Sequence, residues 1–292
     1  MDVIERHRHL LDTLLPGEDF GALTVHRGQF HDVVLGAESV VRFARHAAAA
    51  DRLPACAARL RAVAALGLGV RTPEVLAEGA GHLLLSRVPG SPLAPEELRD
   101  PAAEEAVAEQ YAALFAELRG AADGPVPADA AGRADAADPR GAVVAGLEPA
   151  PRDGWRDFAA GVRGELYALM SHAGRERAER ELAALDGLPY RASAVVHGDL
   201  GGENVLWARQ EGGAPRLVGV VDWDGAALGD QAEDLAAVGA SYGDALLSRI
   251  PAAADQWERI RVVRGTFALQ QALAAVRDGD EGELRDGLAG YR

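Results

Sequence analysis

At 292 residues and a formal net charge of −15, the chain is long enough to bury a substantial core and has the wrong sign for nucleic acid or an anionic membrane surface. All 30 basic side chains are arginine, so with no lysine anywhere a P-loop nucleotide site is excluded. The single cysteine, Cys56, excludes an intrachain disulfide. No run of 18 apolar residues is present and the charged start "MDVIERHRHLLDTLL" reads as an amphipathic helix, so the expected location is the cytoplasm.

In chain order, a helix is predicted from Asp2 to Leu15, stopped by Pro16 and Gly17. Three short β-prone pieces follow, Leu23–Arg27, Phe30–Leu35 and Ser39–Phe43, separated by Gly28 and by Gly36-Ala37, which predicts a meander with tight turns. Ala47–Leu66 reads as a helix with Pro54 near its first turn. "TPEVLAEGAGHLLLSRVPG" reads as two more strands around Gly79–Gly81. After Pro89 the strand signal fades. Residues 101 to 119 are helical by composition, and 120 to 152 form a Pro/Gly/Ala/Asp-rich stretch without a periodic signal. Helices are predicted at Trp155–Ser171 and Arg175–Leu185. A short strand, "ASAVVH", then precedes a hairpin made of "NVLWAR" and "RLVGVVDWD", and the remainder is mainly helical.

The expected architecture is therefore α+β and two-lobed. A small β-rich N-terminal lobe, residues 1–87, is followed by a larger, mainly helical lobe, residues 88–292.

The chemistry concentrates in "VVHGDLGGENVLW", residues 195 to 207, where a histidine, an aspartate and an asparagine interrupt two apolar runs. Asp199 and Asn204 lie on one loop, and Asp222 ends the second strand of the following hairpin, which returns the chain near its start. Carboxylate and amide oxygens converging there suit Mg²⁺, a hard cation that keeps waters for phosphate oxygens. The spacing His197-x-Asp199-x4-Asn204 matches a kinase catalytic loop, and Asp222-Trp223-Asp224 stands where the metal-binding segment follows. Alone, each of these residues is an ordinary turn former; the constellation in register is not.

"VVHGDLGGENVL" followed by "GVVDWDGAALGDQAEDLA" resembles the paired signature of the aminoglycoside phosphotransferase family, antibiotic kinases of the protein-kinase-like fold. The resemblance covers His197, Gly198, Asp199, Asn204, Asp222, Asp224, Gly229, Asp230 and Asp234. It implies Asp199 as catalytic base, Asn204 and Asp222 as ligands of two Mg²⁺ ions, and ATP as phosphate donor. His197, Asp230 and Asp234 would support the loops, and Glu203, Asp224 and Glu233 are candidate substrate contacts. Gly198 replaces the arginine that meets a phosphorylated activation loop in protein kinases, so regulation of that kind is not expected.

The first lobe matches more loosely. "HRGQFHDVVL" occupies the nucleotide-covering loop with a single glycine, and Gly28, Gln29 and Phe30 are its candidate phosphate contacts. Arg42 is the only basic candidate where a lysine would meet the phosphates, and arginine is not a neutral swap for lysine. Its usual glutamate partner is missing, since Asp51 is the only acidic residue between Arg42 and Pro73. "HLLLSRVPG" resembles the hinge, with backbone groups near Ser86 and Val88 on the adenine edge.

In "RHRHLLDTLLPG", "VHRGQFHDVVLG", "ASAVVHGDLGGENVLW" and the tail "RGTFALQQALAAVRDGDEGELRDGLAGYR" the chain resembles, within that family, the viomycin and capreomycin phosphotransferases. This implies phosphorylation of a hydroxyl on a basic cyclic peptide antibiotic, for resistance or self-protection. Two readings stand beside it: a kinase for an aminoglycoside or another amino-alcohol, and a non-catalytic protein of the same fold that sequesters the antibiotic. The charge pattern is compatible with a cationic partner. Residues 91 to 150 hold twelve acidic residues against four arginines, and residues 222 to 292 hold thirteen against seven.

Overall fold

The computed structural model describes residues 2–28, 30–122, 146–209 and 213–292. The N-terminal part contains α1 (Val3–Arg6), α2 (Arg8–Leu14), β1 (Thr24–Arg27), β2 (His31–Leu35), β3 (Ser39–Ala44), α3 (Ala47–Ala50), α4 (Leu53–Ala65), β4 (Val75–Gly79) and β5 (His82–Ser86). Next come α5 (Pro101–Ala122), α6 (Gly154–Gly161), α7 (His172–Asp186), β6 (Ala194–Val196), β7 (Val205–Ala208), β8 (Arg216–Val220) and β9 (Ala227–Gly229). The chain finishes in α8 (Ala232–Arg249), α9 (Trp257–Gly265), α10 (Phe267–Asp278) and α11 (Glu281–Gly287). The fold is α+β and two-lobed.

The first five strands form one antiparallel sheet in the order β1-β2-β3-β5-β4. Alternation along β2 and β3 sends Val34, Val41 and Phe43 to one face, where Val3, Leu11 and Leu15 of the N-terminal helices cover them. The expected single helix over Asp2–Leu15 is in fact two pieces that break at His7, whose ring stacks on Phe43 at 4.1 Å. Helix α4 starts with Pro54 in its first turn, where no backbone N–H is required, and buries Leu53, Cys56, Leu60 and Val63.

In the helical part, α5 and α8 pack around the β7–β8 hairpin, and Trp207 and Tyr111 meet edge to face at 5.6 Å. The segment expected as one helix over Trp155–Ser171 is α-helical only to Gly161. It widens into a π turn at Val162–Leu166 and tightens into a 3₁₀ turn, so that Val162 and Leu166 are both fully buried beside Leu269 and Tyr291. One strand escaped the sequence reading altogether. The three residues of β9 pair with β6, joining Val196 to Ala227 directly beside the polar loop.

The hairpin β7–β8 is stitched to the first sheet's surroundings by main-chain bonds. Arg71 N–H donates to Val218 and Val220 N–H donates back to Arg71, at 3.0 and 2.9 Å. Ser91 and Trp207 exchange a further pair at 3.1 and 2.9 Å. These bonds fix the loop after β8 beneath β3, and that is where the candidate site forms.

Candidate active site

The polar loop between β6 and β7 is built around a buried carboxylate. Asp234, in the first turn of α8, is 1% exposed and accepts the backbone N–H groups of His197 and Gly198 at 2.7 and 2.9 Å. Burial pushes its carboxyl above the ordinary range, against the two N–H bonds that favour its charge. His197 is wholly buried, with its ring 4.6 Å from that of Trp223. Its Nδ1 accepts the Asp199 N–H at 3.2 Å while Nε2 lies 2.8 Å from the Val221 carbonyl, a pairing in which Nε2 is the donor. The ring is thus a strut between the Asp199 loop and the end of β8.

Gly198 makes that crossing feasible. Its φ of +86° is left-handed, and a Cβ would stand 2.8 Å from the Gly225 carbonyl oxygen. The residue that replaces a protein kinase's arginine is therefore glycine for a steric reason as well.

Asp199, Asn204 and Asp222 are brought together. The Asn204 amide donates to the Asp199 carbonyl at 2.9 Å and reaches its Oδ2 at 3.5 Å, while Val221 N–H donates to the Asn204 carbonyl at 2.9 Å. Burial first, then the charge of exposed Glu203, pushes the Asp199 carboxyl above the usual range. Asp222 is the only non-glycine residue with positive φ among the described residues (φ 64°, ψ 54°), a strained conformation that aspartate tolerates better than most.

Arg42 completes the cluster from the opposite side. Its side chain is 11% exposed, and its Nη2 and Nη1 lie 2.6 Å from Asp222 Oδ1 and 2.7 Å from Asp224 Oδ1. Burial works against its charge, but the two aspartates more than restore it and hold its pKa above the ordinary value. Arg59 of α4 donates to the Asp224 carbonyl at 2.9 Å. Buried Cys56, on the same helix, faces Asp224 as well, and burial followed by that carboxylate pushes its thiol up to about 11. The helix that would have supplied a glutamate supplies an arginine, and the acid comes from the loop after β8.

The other expected contact residues sit among partners of their own. Asp224, expected as a substrate contact, is turned onto Arg42 by an ion pair. The Gly28 N–H donates to the His31 carbonyl at 2.8 Å, and the Gly28 carbonyl is held by Arg45. Ser86 N–H is likewise taken, by the Glu74 carbonyl at 2.9 Å, and its hydroxyl accepts the Glu74 N–H. Phe30 turns its ring toward His46 and Arg52. Val88 is buried against Gly219, and Gln29 lies outside the described residues.

Asp230 holds the start of α8 and a buried arginine. It accepts the Ala232 N–H at the start of α8 and forms a buried ion pair with Arg259. Arg259 carried no sequence signal, being one of 30 arginines; the same holds for Arg59. Glu233 lines a cavity of about 170 Å³ together with Trp155, Gly198, Asp199, Phe267 and Gln270.

The donor set fits a hard cation. The Asn204 amide nitrogen is engaged with Asp199, which leaves its oxygen as the uncommitted donor atom, and Arg42 engages one oxygen of Asp222 and leaves the other.

Comparison with known proteins agrees with this geometry. Residues 18–266 match the family described as the phosphotransferase enzyme family. Viomycin phosphotransferase from Streptomyces vinaceus is 56% identical over 304 aligned positions, covering the whole of both chains. An aminoglycoside 2′-phosphotransferase solved with GDP superposes with a TM-score of 0.75 at 17% identity, over 99% of this chain and 97% of that one. A type I macrolide 2′-phosphotransferase gives 0.70 at 21% identity, over 100% and 98%. The two structural likenesses establish the fold, and the family match with the full-length relative establishes more: the chain belongs to the phosphotransferase enzyme family.

Proposed function

We propose that the chain transfers the γ-phosphoryl group of ATP to a hydroxyl of a cationic cyclic peptide antibiotic of the viomycin and capreomycin class. The observation that carries this reading is the convergence of Asp199, Asn204 and Asp222 in a chain 56% identical to viomycin phosphotransferase along its whole length.

Asp199 is the base. As the acceptor oxygen bonds to the γ-phosphorus, the bond from that phosphorus to the β–γ bridging oxygen breaks, and the hydroxyl proton passes to the Asp199 carboxylate. Asn204 and Asp222 would hold two Mg²⁺ ions, which neutralise charge on the transferring phosphoryl group when bound. His197 and Asp234 keep the Asp199 loop in place, so that catalysis is chiefly positioning. Arg42 serves the phosphates, oriented by Asp222 and Asp224. Val88 and the carbonyl of Ser86 lie at the adenine edge, Phe30 belongs to the loop over the nucleotide, and Glu203 and Glu233 face the acceptor. Residues 1–87 form the nucleotide lobe and 88–292 the catalytic and acceptor lobe.

The sequestering alternative drew its force from the missing lysine and glutamate. Arg42 nonetheless has two carboxylate partners beside an intact Asp199 loop, which favours the enzyme. Among the described residues no helix is long and apolar enough to cross a membrane, and use of ATP supports a cytoplasmic location. Mg²⁺-dependent ADP release measured with viomycin, capreomycin, kanamycin and choline tests the reading. Release with the peptides alone is expected, and release with kanamycin or choline alone would contradict the substrate class.

A further inference from the structure

The cavity that holds Asp199 does not end there. A second one, of about 400 Å³, shares Trp155, Glu233 and Gln270 with it. A third, of about 980 Å³, shares Ala274 and Arg277 with the second and opens between the Gly28 turn and α11. Gln270, Ala274 and Arg277 fall on one face of α10, so this helix lines a path of three adjoining cavities leading outward from Asp199. Three adjoining cavities suit an acceptor larger than one sugar ring.

At the inner end of that path stands Glu233. Its carboxylate makes no hydrogen bond or ion pair among the described residues. Burial first, then Asp234 and Asp230, push it up to about 8. The cation that faces it, Arg259, is committed to Asp230. Arg277, on the wall of the adjoining cavity, is committed to Glu165. A desolvated carboxylate without a partner weakens a fold, and it makes chemical sense where a ligand brings the partner. Trp155 and Phe267 line the same cavity, and aromatic faces attract ammonium and guanidinium groups. Trp155 is itself braced edge-on by Phe158 at 6.2 Å.

We propose that Glu233, with Trp155 and Phe267, forms an acceptor subsite that takes one guanidinium or ammonium group of the substrate and so aims a nearby hydroxyl at Asp199. This rests on the reading that Asp199 faces the acceptor. Binding of the cation ionises Glu233, so a proton leaves as the cation enters. Asp199, Asp230 and Asp234 are the other acids facing this group, and all three remain when Glu233 is replaced.

The test uses viomycin as probe, with full-length enzyme and Mg·ATP. Glu233→Gln is expected to raise the KM for viomycin about tenfold to hundredfold, the worth of one charge-assisted hydrogen bond, while the KM for ATP moves by less than about twofold. Titration calorimetry of viomycin binding near neutral pH, in two buffers of different ionisation enthalpy, is expected to show proton release by the wild type and less by Glu233→Gln. Phe267→Leu, which keeps the carboxylate and removes the ring, should raise the viomycin KM in the same direction and serves if the first variant does not fold. An unchanged viomycin KM in folded variants, with unchanged proton release, overturns the subsite. Viomycin that is bound with proton release but never phosphorylated supports the subsite and overturns the reading of the preceding section. Viomycin that is neither bound nor phosphorylated overturns both.

Discussion

Arg42 and Asp224, 182 positions apart in the chain, meet at 2.7 Å, and the same guanidinium holds Asp222 at 2.6 Å. A basic residue on β3 is thereby oriented by acids of the loop after β8 rather than by an acid of α4. Because Asp222 is also the proposed metal ligand, the cation proposed to serve the phosphates and the carboxylate proposed to hold the metal are organised as one unit.

Breaking this unit is expected to act on the nucleotide. Asp224→Asn should raise the KM for ATP about tenfold to hundredfold, because Arg42 loses one of two charge-assisted bonds in a poorly solvated site. The KM for viomycin should stay near the wild-type value. Steady-state kinetics with each substrate varied in turn separates this from a direct role of Asp224 in acceptor binding, which would move the second constant instead.

Removing the carboxylate under the Asp199 loop should cost stability and activity together. Asp234→Ala leaves the buried N–H of His197 and the partly buried N–H of Gly198 without their carboxylate partner and is expected to destabilise the protein by about 2–5 kcal/mol, read by denaturant unfolding. Asp234→Asn retains one acceptor oxygen and should lose less.

Gly198→Ala addresses the crossing of the two loops. The left-handed φ and the 2.8 Å approach to the Gly225 carbonyl predict a loss of about 1–3 kcal/mol in stability. Phosphotransfer should fall far more than melting temperature, because the strain is relieved by moving Asp199. A variant with wild-type turnover would show that the loop tolerates a side chain there.

Much of this was written in the sequence, and what was not has identifiable causes. The β1–β2–β3 meander and the β7–β8 hairpin were legible because turn glycines bracket alternating apolar residues. Asp199, Asn204 and Asp222 were legible because a hairpin brings its own ends together. Strand β9 was not, since three residues carry no periodicity and its pairing with β6 is set by the tertiary fold. The partners of Arg42 were invisible because they lie in a segment 180 residues away, and a search for acids on the neighbouring helix finds none. Trp155 and Phe267 carry no sequence signal of a site, and only the tertiary packing around Asp199 makes them a cavity wall.

The unpartnered Glu233 also predicts a pH effect on the free enzyme. Its pKa rises from the ordinary glutamate value to about 8 in the folded state. A raised carboxyl pKa gives stability that is complete below the unfolded value and is lost as pH climbs through the folded one. Melting temperature should therefore decline between about pH 4.5 and pH 8 by an amount that Glu233→Gln removes. The variant should be at least as stable as the wild type at pH 8, and equal slopes in the two proteins would show that Glu233 has another partner.

The most direct measurement is the mass of viomycin after incubation with Mg·ATP and either the wild-type enzyme or Asp199→Asn. The account predicts a product heavier by one phosphoryl group with the wild type, formed together with one ADP, and a loss of rate on the order of 10²–10⁴ with Asp199→Asn while ATP still binds. Unmodified viomycin after prolonged incubation with folded wild-type enzyme, or equal rates in the two proteins, would contradict it.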